Sequence, residues 1–116
     1  MGALLDGPLS SCRHSVVGQL DRASTSIPLN IAEGNGKRSR VDRCRYLDTS
    51  RGSAFESAAC LDVLVARRAL EESMVDEGKA LLVRIVSMLS RMILRFDVEA
   101  TEGTRSTSTS TSTSTR

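Results

Sequence analysis

Basic side chains are concentrated between residues 37 and 51, and this cluster is the part of the chain best suited to bind an anion. Its members are Lys37, Arg38, Arg40, Arg43, Arg45 and Arg51. Set against Asp42 and Asp48, they give a local charge of +4 in a chain of net charge +2, so the remaining residues sum to −2. Arginines at the start of a helix suit phosphate, because they bind it in a bidentate manner beside the positive helix end.

A solvated helix face is the alternative interpretation of this basic cluster, and we favour it. Asp48 stands one helical turn from both Arg51 and Arg45, a spacing that forms surface ion pairs. Tyr46 is the only aromatic residue interleaved with the cluster, and binding of unpaired bases usually uses several aromatic platforms.

Residues for catalysis are scarce. His14 is the single histidine and stands close to the N-terminus, so no Ser/His/Asp or Cys/His set can be built around a rigid base. Glu33 and Glu56 could approach each other across two helices, but a metal site in a helical bundle would show Glu-x-x-His repeats, which this sequence lacks. We expect neither enzyme activity nor a cofactor or metal.

The three cysteines, Cys12, Cys44 and Cys60, have no zinc-site spacing and are odd in number, which indicates reduced thiols. Cys44 and Cys60 would be about 24 Å apart on one helix, too far for a disulfide. The sequence has no apolar run long enough to span a membrane, and its first residues lack the pattern of a signal peptide. We therefore expect a cytoplasmic protein with no membrane partner.

A proline and an asparagine lie inside a helical apolar pattern in the segment 26–34. The first helix should begin near Ser11 or Ser15. Pro28 removes the hydrogen bond to the Ser24 carbonyl and predicts a kink unless nearby hydroxyls compensate. Gly34 and Gly36 should then end the helix through a positive φ. The apolar face of this helix consists of Val16, Leu20, Ala23, Ile27 and Ile31.

Asn30 and Glu33 have structural interpretations that we prefer to an exposed functional pair. A partly buried Asn30 amide would fix the register between helices. Glu33 would meet the first amides of the next helix or one of its arginines.

Two further helices follow. Ser39 should cap a helix that runs to about Leu70. Within it, the small residues 52–54 offer a place where another backbone could approach closely. Its apolar stripe comprises Val41, Cys44, Leu47, Phe55, Ala58, Leu61 and Val65. The last helix should start near Ser73 and carries a stripe wide enough for two neighbours, in which Met88 and Met92 fill the core.

Length and composition fit one small helical domain. Of 116 residues, 40% are hydrophobic and 3% aromatic, a balance that favours aliphatic packing between helices. We predict an all-α fold, an antiparallel up-down helical bundle. Residues 1–10 should form an irregular N-terminus, residues 11–96 the bundle domain, and residues 97–116 a disordered tail that ends in Ser-Thr repeats.

Three segments together resemble a known family. They are Gln19-Leu20-Asp21-Arg22-Ala23, the run 26–34, and Ser50-Arg51-Gly52-Ser53-Ala54-Phe55-Glu56. In order and spacing they resemble the bacterial four-helix-bundle family that includes the 23S rRNA-intervening sequence proteins, and they are similar to the accessory variability protein of diversity-generating retroelements. The resemblance covers about residues 15–96. The motif positions that it assigns are Ser26, Ile27, Pro28, Asn30, Ile31, Ala32, Glu33, Gly34, Arg51, Gly52, Ser53 and Glu56.

The resemblance implies an antiparallel four-helix protomer, a homopentamer and no enzyme activity. In the retroelement branch it implies binding to a reverse transcriptase and to nucleic acid. The chain departs from the family in two places: residues 1–14 are about half the length of the family's first helix, which is short or missing here, and Asp21 stands where a basic residue is common.

These expectations combine into a non-enzymatic homo-oligomeric scaffold or adaptor, associated with rRNA intervening sequences or with a reverse transcriptase. Three amphipathic helices with wide apolar stripes would leave surface to cover, and a symmetric interface covers it. The alternative is direct RNA or DNA binding through the basic cluster. A third interpretation is a decayed reading frame, suggested by the short N-terminus and the repeat tail.

Overall fold

Three α-helices form the described part of the protein. The computed structural model describes the backbone of residues 8–107 and the side chains of residues 14–96. The helices are α1 (Pro8–Asn35), α2 (Arg40–Ala66) and α3 (Glu72–Thr107), and the described range contains no strand. The all-α prediction is therefore confirmed. A four-helix up-down bundle is not confirmed, since the described residues form three helices.

The helices run up, down and up, with α2 in the middle. Gln19 of α1 contacts Glu56 of α2, and Ile27 contacts Ser50, so α1 and α2 are antiparallel. Helices α2 and α3 are also antiparallel, because Asp62 contacts Lys79 and Arg51 contacts Ser90. Both outer helices pack on α2, whereas no Cα atom of α1 lies within 8 Å of one in α3 over the described residues.

Small side chains bring the helices close together. Ala54 is fully buried between the helices, and Leu47 of α2 and Leu89 of α3 expose at most 2% of their surface. The rest of the apolar core consists of Ala23, Ile27, Cys60, Leu64 and Val75. Three serines of α2, Ser50, Ser53 and Ser57, are also buried, so the central helix combines aliphatic and hydroxyl contacts.

Helix α1 begins at Pro8, earlier than the predicted start at Ser11 or Ser15. Proline is favoured at the first helical position, because its missing N–H has no partner there and its φ is already helical. The helix is continuous through Pro28.

The predicted role of Gly34 and Gly36 in ending α1 by a positive φ is wrong. Gly34 is helical and buried, and no glycine in the described range has a positive φ. A Cβ atom at Gly34 would lie 3.1 Å from the Cβ of Tyr46 and 3.4 Å from the carbonyl oxygen of Arg43. Glycine is therefore needed at this position for the close approach of α2.

Helix α2 has the predicted cap. The Ser39 hydroxyl accepts a hydrogen bond from the Asp42 amide at 3.1 Å. The helix ends at Ala66, four residues before the expected Leu70. Arg68 then adopts a φ of 62°, and the Ala69 amide donates to the Leu64 carbonyl at 2.8 Å. A left-handed residue of this kind commonly ends a helix.

Helix α3 begins at Glu72, one residue before the predicted Ser73, and continues to Thr107. The helices thus include residues 8–10 and 97–107, which the sequence places outside the bundle domain. Glu99, Ala100 and Glu102 favour helix, and no proline follows Phe96 to stop it. Residues 1–7 and 108–116, including most of the Ser-Thr repeats, lie outside the described residues. None of the helices, searched over the described range, is long and apolar enough to cross a membrane.

Candidate functional site

The motif segments of α1 and α2 meet through a row of hydroxyl contacts that we call the serine seam, formed by Ser26, Asn30, Ser50 and Ser53. Ser53 Oγ donates to Ser26 Oγ at 2.8 Å, and Ser50 Oγ donates to the Ile27 carbonyl at 2.9 Å. The Asn30 amide donates to both the carbonyl and the hydroxyl of Ser26, at 2.9 and 2.8 Å. The seam crosses from α1 to α2 next to Pro28.

The two motif segments also contact each other on either side of the serine seam. Gln19 Nε2 donates to Glu56 Oε2 at 2.7 Å on one side. The close approach at Gly34 lies on the other side. Ile27 is buried and Ile31 half-buried, whereas Pro28 and Ala32 are exposed. The segments that carry the family resemblance are therefore mostly an α1–α2 packing surface.

Asn30 and Glu33 make polar contacts at the C-terminal half of α1. Asn30 is half-buried and bonds within α1, reaching α2 only through Ser26 and Ser53. The Glu33 carboxylate lies 3.6 Å from Lys37 Nζ in the α1–α2 connection. Lys37 follows Glu33 by four residues, or about one helical turn, a spacing at which the two side chains can meet.

Half of the basic cluster, Lys37, Arg43 and Arg51, is half-buried. Arg51 contacts Asp48 at 2.9 Å, as predicted, and also donates to Ser90 Oγ at 3.0 Å. Arg43 Nε donates to the Lys37 carbonyl at 2.9 Å, and its guanidinium lies 5.7 Å from the ring centroid of Phe96. Lys37 Nζ lies 5.3 Å from the Tyr46 ring centroid in addition to its Glu33 contact.

The other half of the cluster stays on the surface. Arg38, Arg40 and Arg45 are exposed around the N-terminus of α2. Arg45 also pairs with Asp42 at 3.5 Å. The exposed part of the cluster is thus three arginines, smaller than the six-residue cluster suggests.

The residues considered for catalysis are spread apart. Glu56 of α2 contacts Gln19 of α1. Glu33 lies 14 residues after Gln19 on α1, or about 21 Å further along the helix, so the two carboxylates are far apart. His14 is exposed on α1. Burial, and then the Glu56 charge, raises the pKa of the Cys60 thiol above its ordinary 9.0. Within the residues searched, no group of three or more His, Cys, Asp or Glu side chains could hold a metal ion.

The small-residue patch at residues 52–54 divides between inside and outside. Ser53 and Ala54 are buried, but a Cβ at Gly52 would meet nothing within 4 Å. Close packing inside the protomer therefore does not explain Gly52.

Large apolar side chains lie on the surface, including several that the sequence assigns to apolar stripes. Phe55 is 59% exposed and Met88 42% exposed, so the prediction of Met88 as core filler is wrong for the isolated protomer. Further exposed apolar side chains are Val17, Leu29, Val41, Met74, Leu81, Val83 and Leu94. The wide stripe of α3 has one neighbour, α2, and this leaves its other half uncovered.

Comparison with known proteins identifies a family. The family model described as 23S rRNA-intervening sequence protein matches residues 8–91. Neither the curated proteins nor the solved structures gave a match. The match spans α1, α2 and most of α3, and thus includes the serine seam. The chain belongs to the 23S rRNA-intervening sequence protein family.

Proposed function

We propose that the protein is a non-enzymatic helical scaffold that acts as a homo-oligomer. The observation that carries this proposal is the exposed apolar surface of α2 and α3. Phe55, Val83 and Leu94 are each at least 59% exposed. Large exposed apolar side chains favour an interaction site, because burial of apolar surface contributes about 25 cal/mol per Å².

The shape of the chain supports the same proposal. Its Cα radius of gyration is 19.5 Å, against about 13 Å for a compact domain of 100 residues. Three helices that share a single central helix bury little apolar surface for their length. Association of copies adds the buried area that a small elongated protomer lacks.

Light scattering after size-exclusion chromatography tests self-association. We expect a species several times the 12.5 kDa protomer at micromolar concentration. A monodisperse monomer at that concentration would contradict the proposal. Far-UV circular dichroism with a cooperative melt serves as the fold control and rejects a decayed reading frame.

We infer that the scaffold serves an RNA-linked or reverse-transcriptase-linked assembly. The family description names the intervening sequence of 23S rRNA, and this supports an RNA-linked setting. The genes on either side of the coding sequence discriminate the two settings. A ribosomal RNA operon supports the first setting, and a reverse-transcriptase gene supports the second. The absence of both from the neighbouring genes would contradict both settings.

Direct binding of RNA or DNA is the second candidate, supported by the exposed Arg38, Arg40 and Arg45 at the α2 N-terminus. Phosphate contacts release counterions, so affinity should fall steeply as salt rises, and the triple alanine variant should flatten that slope. Arg67→Ala, at the opposite end of α2, is the matched control. No binding of mixed-sequence single-stranded or duplex RNA, or of the corresponding DNA, at about 50 mM salt removes this candidate.

A further inference from the structure

Helix α3 exposes apolar side chains on two opposite sides. Leu81 is 53% exposed and Val83 is 65% exposed. Two residues correspond to about 200° around a helix, so these side chains point in nearly opposite directions. A single docked neighbour could not cover both.

The first surface, which we call the methionine face, consists of Met74, Leu81 and Met88 at seven-residue spacing. They are 63%, 53% and 42% exposed. Ile85 and Met92 lie half-buried beside them.

Arginines follow the edge of the methionine face. Arg84, Arg91 and Arg95 each come three residues after one of its apolar positions and are exposed, and none has an ion-pair partner among the described residues. Glu77 lies on the same edge, so the face has a charge of +2 from three cations and one anion.

The second surface, which we call the phenylalanine face, lies over the α2–α3 contact and consists of Phe55 and Val83. Arg51 of α2 donates a hydrogen bond to Ser90 of α3. Phe55 comes one turn after Arg51, and Val83 comes two turns before Ser90. Along the helices, Phe55 and Val83 thus lie between the Arg51–Ser90 contact and the Asp62–Lys79 pair. Phe55 and Val83 are 59% and 65% exposed.

Carboxylates surround the phenylalanine face. Asp48 is paired with Arg51, and Asp62 with Lys79, and each carboxylate side chain remains at least 60% exposed. Asp76, seven residues before Val83, adds a third exposed carboxylate. Three anions and two cations give a charge of −1, opposite in sign to that of the methionine face.

We propose that the methionine face of one copy packs on the phenylalanine face of a second copy. This inference rests on the proposed self-association and specifies its geometry: the two sides of the contact are different surfaces, so each copy joins two neighbours in a head-to-tail manner. The opposite charges favour this pairing. Pairing of two methionine faces would instead bring six arginines together.

Two single variants test the contact. Leu81→Lys puts a charge in the apolar centre of the methionine face, and Phe55→Lys puts a cation on the phenylalanine face, where it would meet the arginines of the methionine face. Both positions are more than half exposed, so the protomer fold should persist, with circular dichroism as the check. Each purified variant should lose the higher species and scatter as a monomer. Leu29→Lys is the matched control, because Leu29 is 62% exposed on α1 and belongs to neither face.

Mixing the two variants gives the decisive result. One intact methionine face and one intact phenylalanine face remain in the mixture, so a head-to-tail contact predicts a dimer of about twice 12.5 kDa and nothing larger. The inference is wrong if the two variants stay monomeric when mixed. It is also wrong if the single variants keep the wild-type size, since these faces would then bind another partner. A monomeric wild type contradicts the proposed function itself, and the two failures are therefore distinguishable.

Discussion

Ser53 Oγ on α2 lies 2.8 Å from Ser26 Oγ on α1, between two segments that are 27 residues apart in sequence. The Ser26 hydroxyl also accepts the Asn30 amide, so the three side chains form one connected network. No buried side-chain nitrogen or oxygen in the described residues lacks a partner. Since an unpaired polar group would be costly here, the network favours one register between α1 and α2.

A double-mutant cycle should measure this contact. Ser26→Ala and Ser53→Ala should each lower the free energy of unfolding by about 1 kcal/mol. Together they should cost less than the sum, by roughly 0.5 kcal/mol or more, because they remove the same interaction. Urea denaturation measures the four values. The exposed Ser87 supplies the control, since Ser87→Ala should stay within about 0.5 kcal/mol of wild type. Strict additivity would show that the hydroxyl pair is not coupled.

The two motif glycines should respond oppositely to alanine. Gly34→Ala places a methyl group 3.1 Å from Tyr46 Cβ and 3.4 Å from the Arg43 carbonyl oxygen, and this overpacking should cost about 1–3 kcal/mol. Gly52→Ala meets nothing within 4 Å in the protomer and should raise stability by about 0.5–1 kcal/mol through helix propensity. Thermal and urea unfolding compare them.

Gly78→Ala is the reference for the pair of glycines, because its added Cβ would lie 3.8 Å from Leu61 Cδ1, an ordinary contact. It should stabilise the helix as Gly52→Ala does. A Gly34→Ala variant as stable as Gly78→Ala would contradict the close approach of α1 and α2.

Relief of the left-handed conformation at Arg68 should stabilise the protein. Arg68 has a φ of 62°, which costs a non-glycine residue roughly 1 kcal/mol. Arg68→Gly should therefore raise the free energy of unfolding by several tenths to about 1 kcal/mol. The neighbouring Arg67 has a φ of −90°, so Arg67→Gly gains no such relief and should be neutral or destabilising. Equal effects of the two changes would contradict the argument.

The sequence predicts the helices well where one local rule decides them. Ser39 three residues before Asp42 is enough to locate the start of α2, and the structure confirms the cap. Apolar spacing likewise locates α3 to within one residue of its start. The all-α class follows from the same periodicity.

Features that depend on neighbours could not be read from spacing. Gly34 looks like a helix end in sequence, but its role comes from Tyr46 and Arg43 on another helix. The sequence predicts the pairing of Arg51 with Asp48, but only the folded chain shows that Arg43 reaches the Lys37 carbonyl and that Arg51 also reaches Ser90. Met88 lies on an apolar stripe whose second neighbour is not in the described protomer, so the pattern alone predicts burial that the structure does not contain.

Cys60 should be the slow cysteine in labelling of the native protein. Its side chain is 7% exposed on α2, against a half-buried Cys44 on the same helix. Burial, and then the charge of Glu56, raises the pKa of the Cys60 thiol, so less reactive thiolate forms at a given pH. Iodoacetamide at pH 8 followed by peptide mass spectrometry should modify Cys44 before Cys60. Labelling in urea, where both should react alike, is the control.

The same shift should make stability depend on alkaline pH. The folded state holds the Cys60 proton more tightly than the unfolded chain, in which the thiol has its ordinary pKa of 9.0. This contribution is therefore complete below pH 9 and is lost as the pH rises through the folded value. Lys79 also has a raised pKa, through its hydrogen bond to Asp62, but Cys60→Ala retains that pair. Urea unfolding at pH 7 to 10.5 should thus show a steeper decline in wild type than in Cys60→Ala, and parallel curves would contradict the assignment to Cys60.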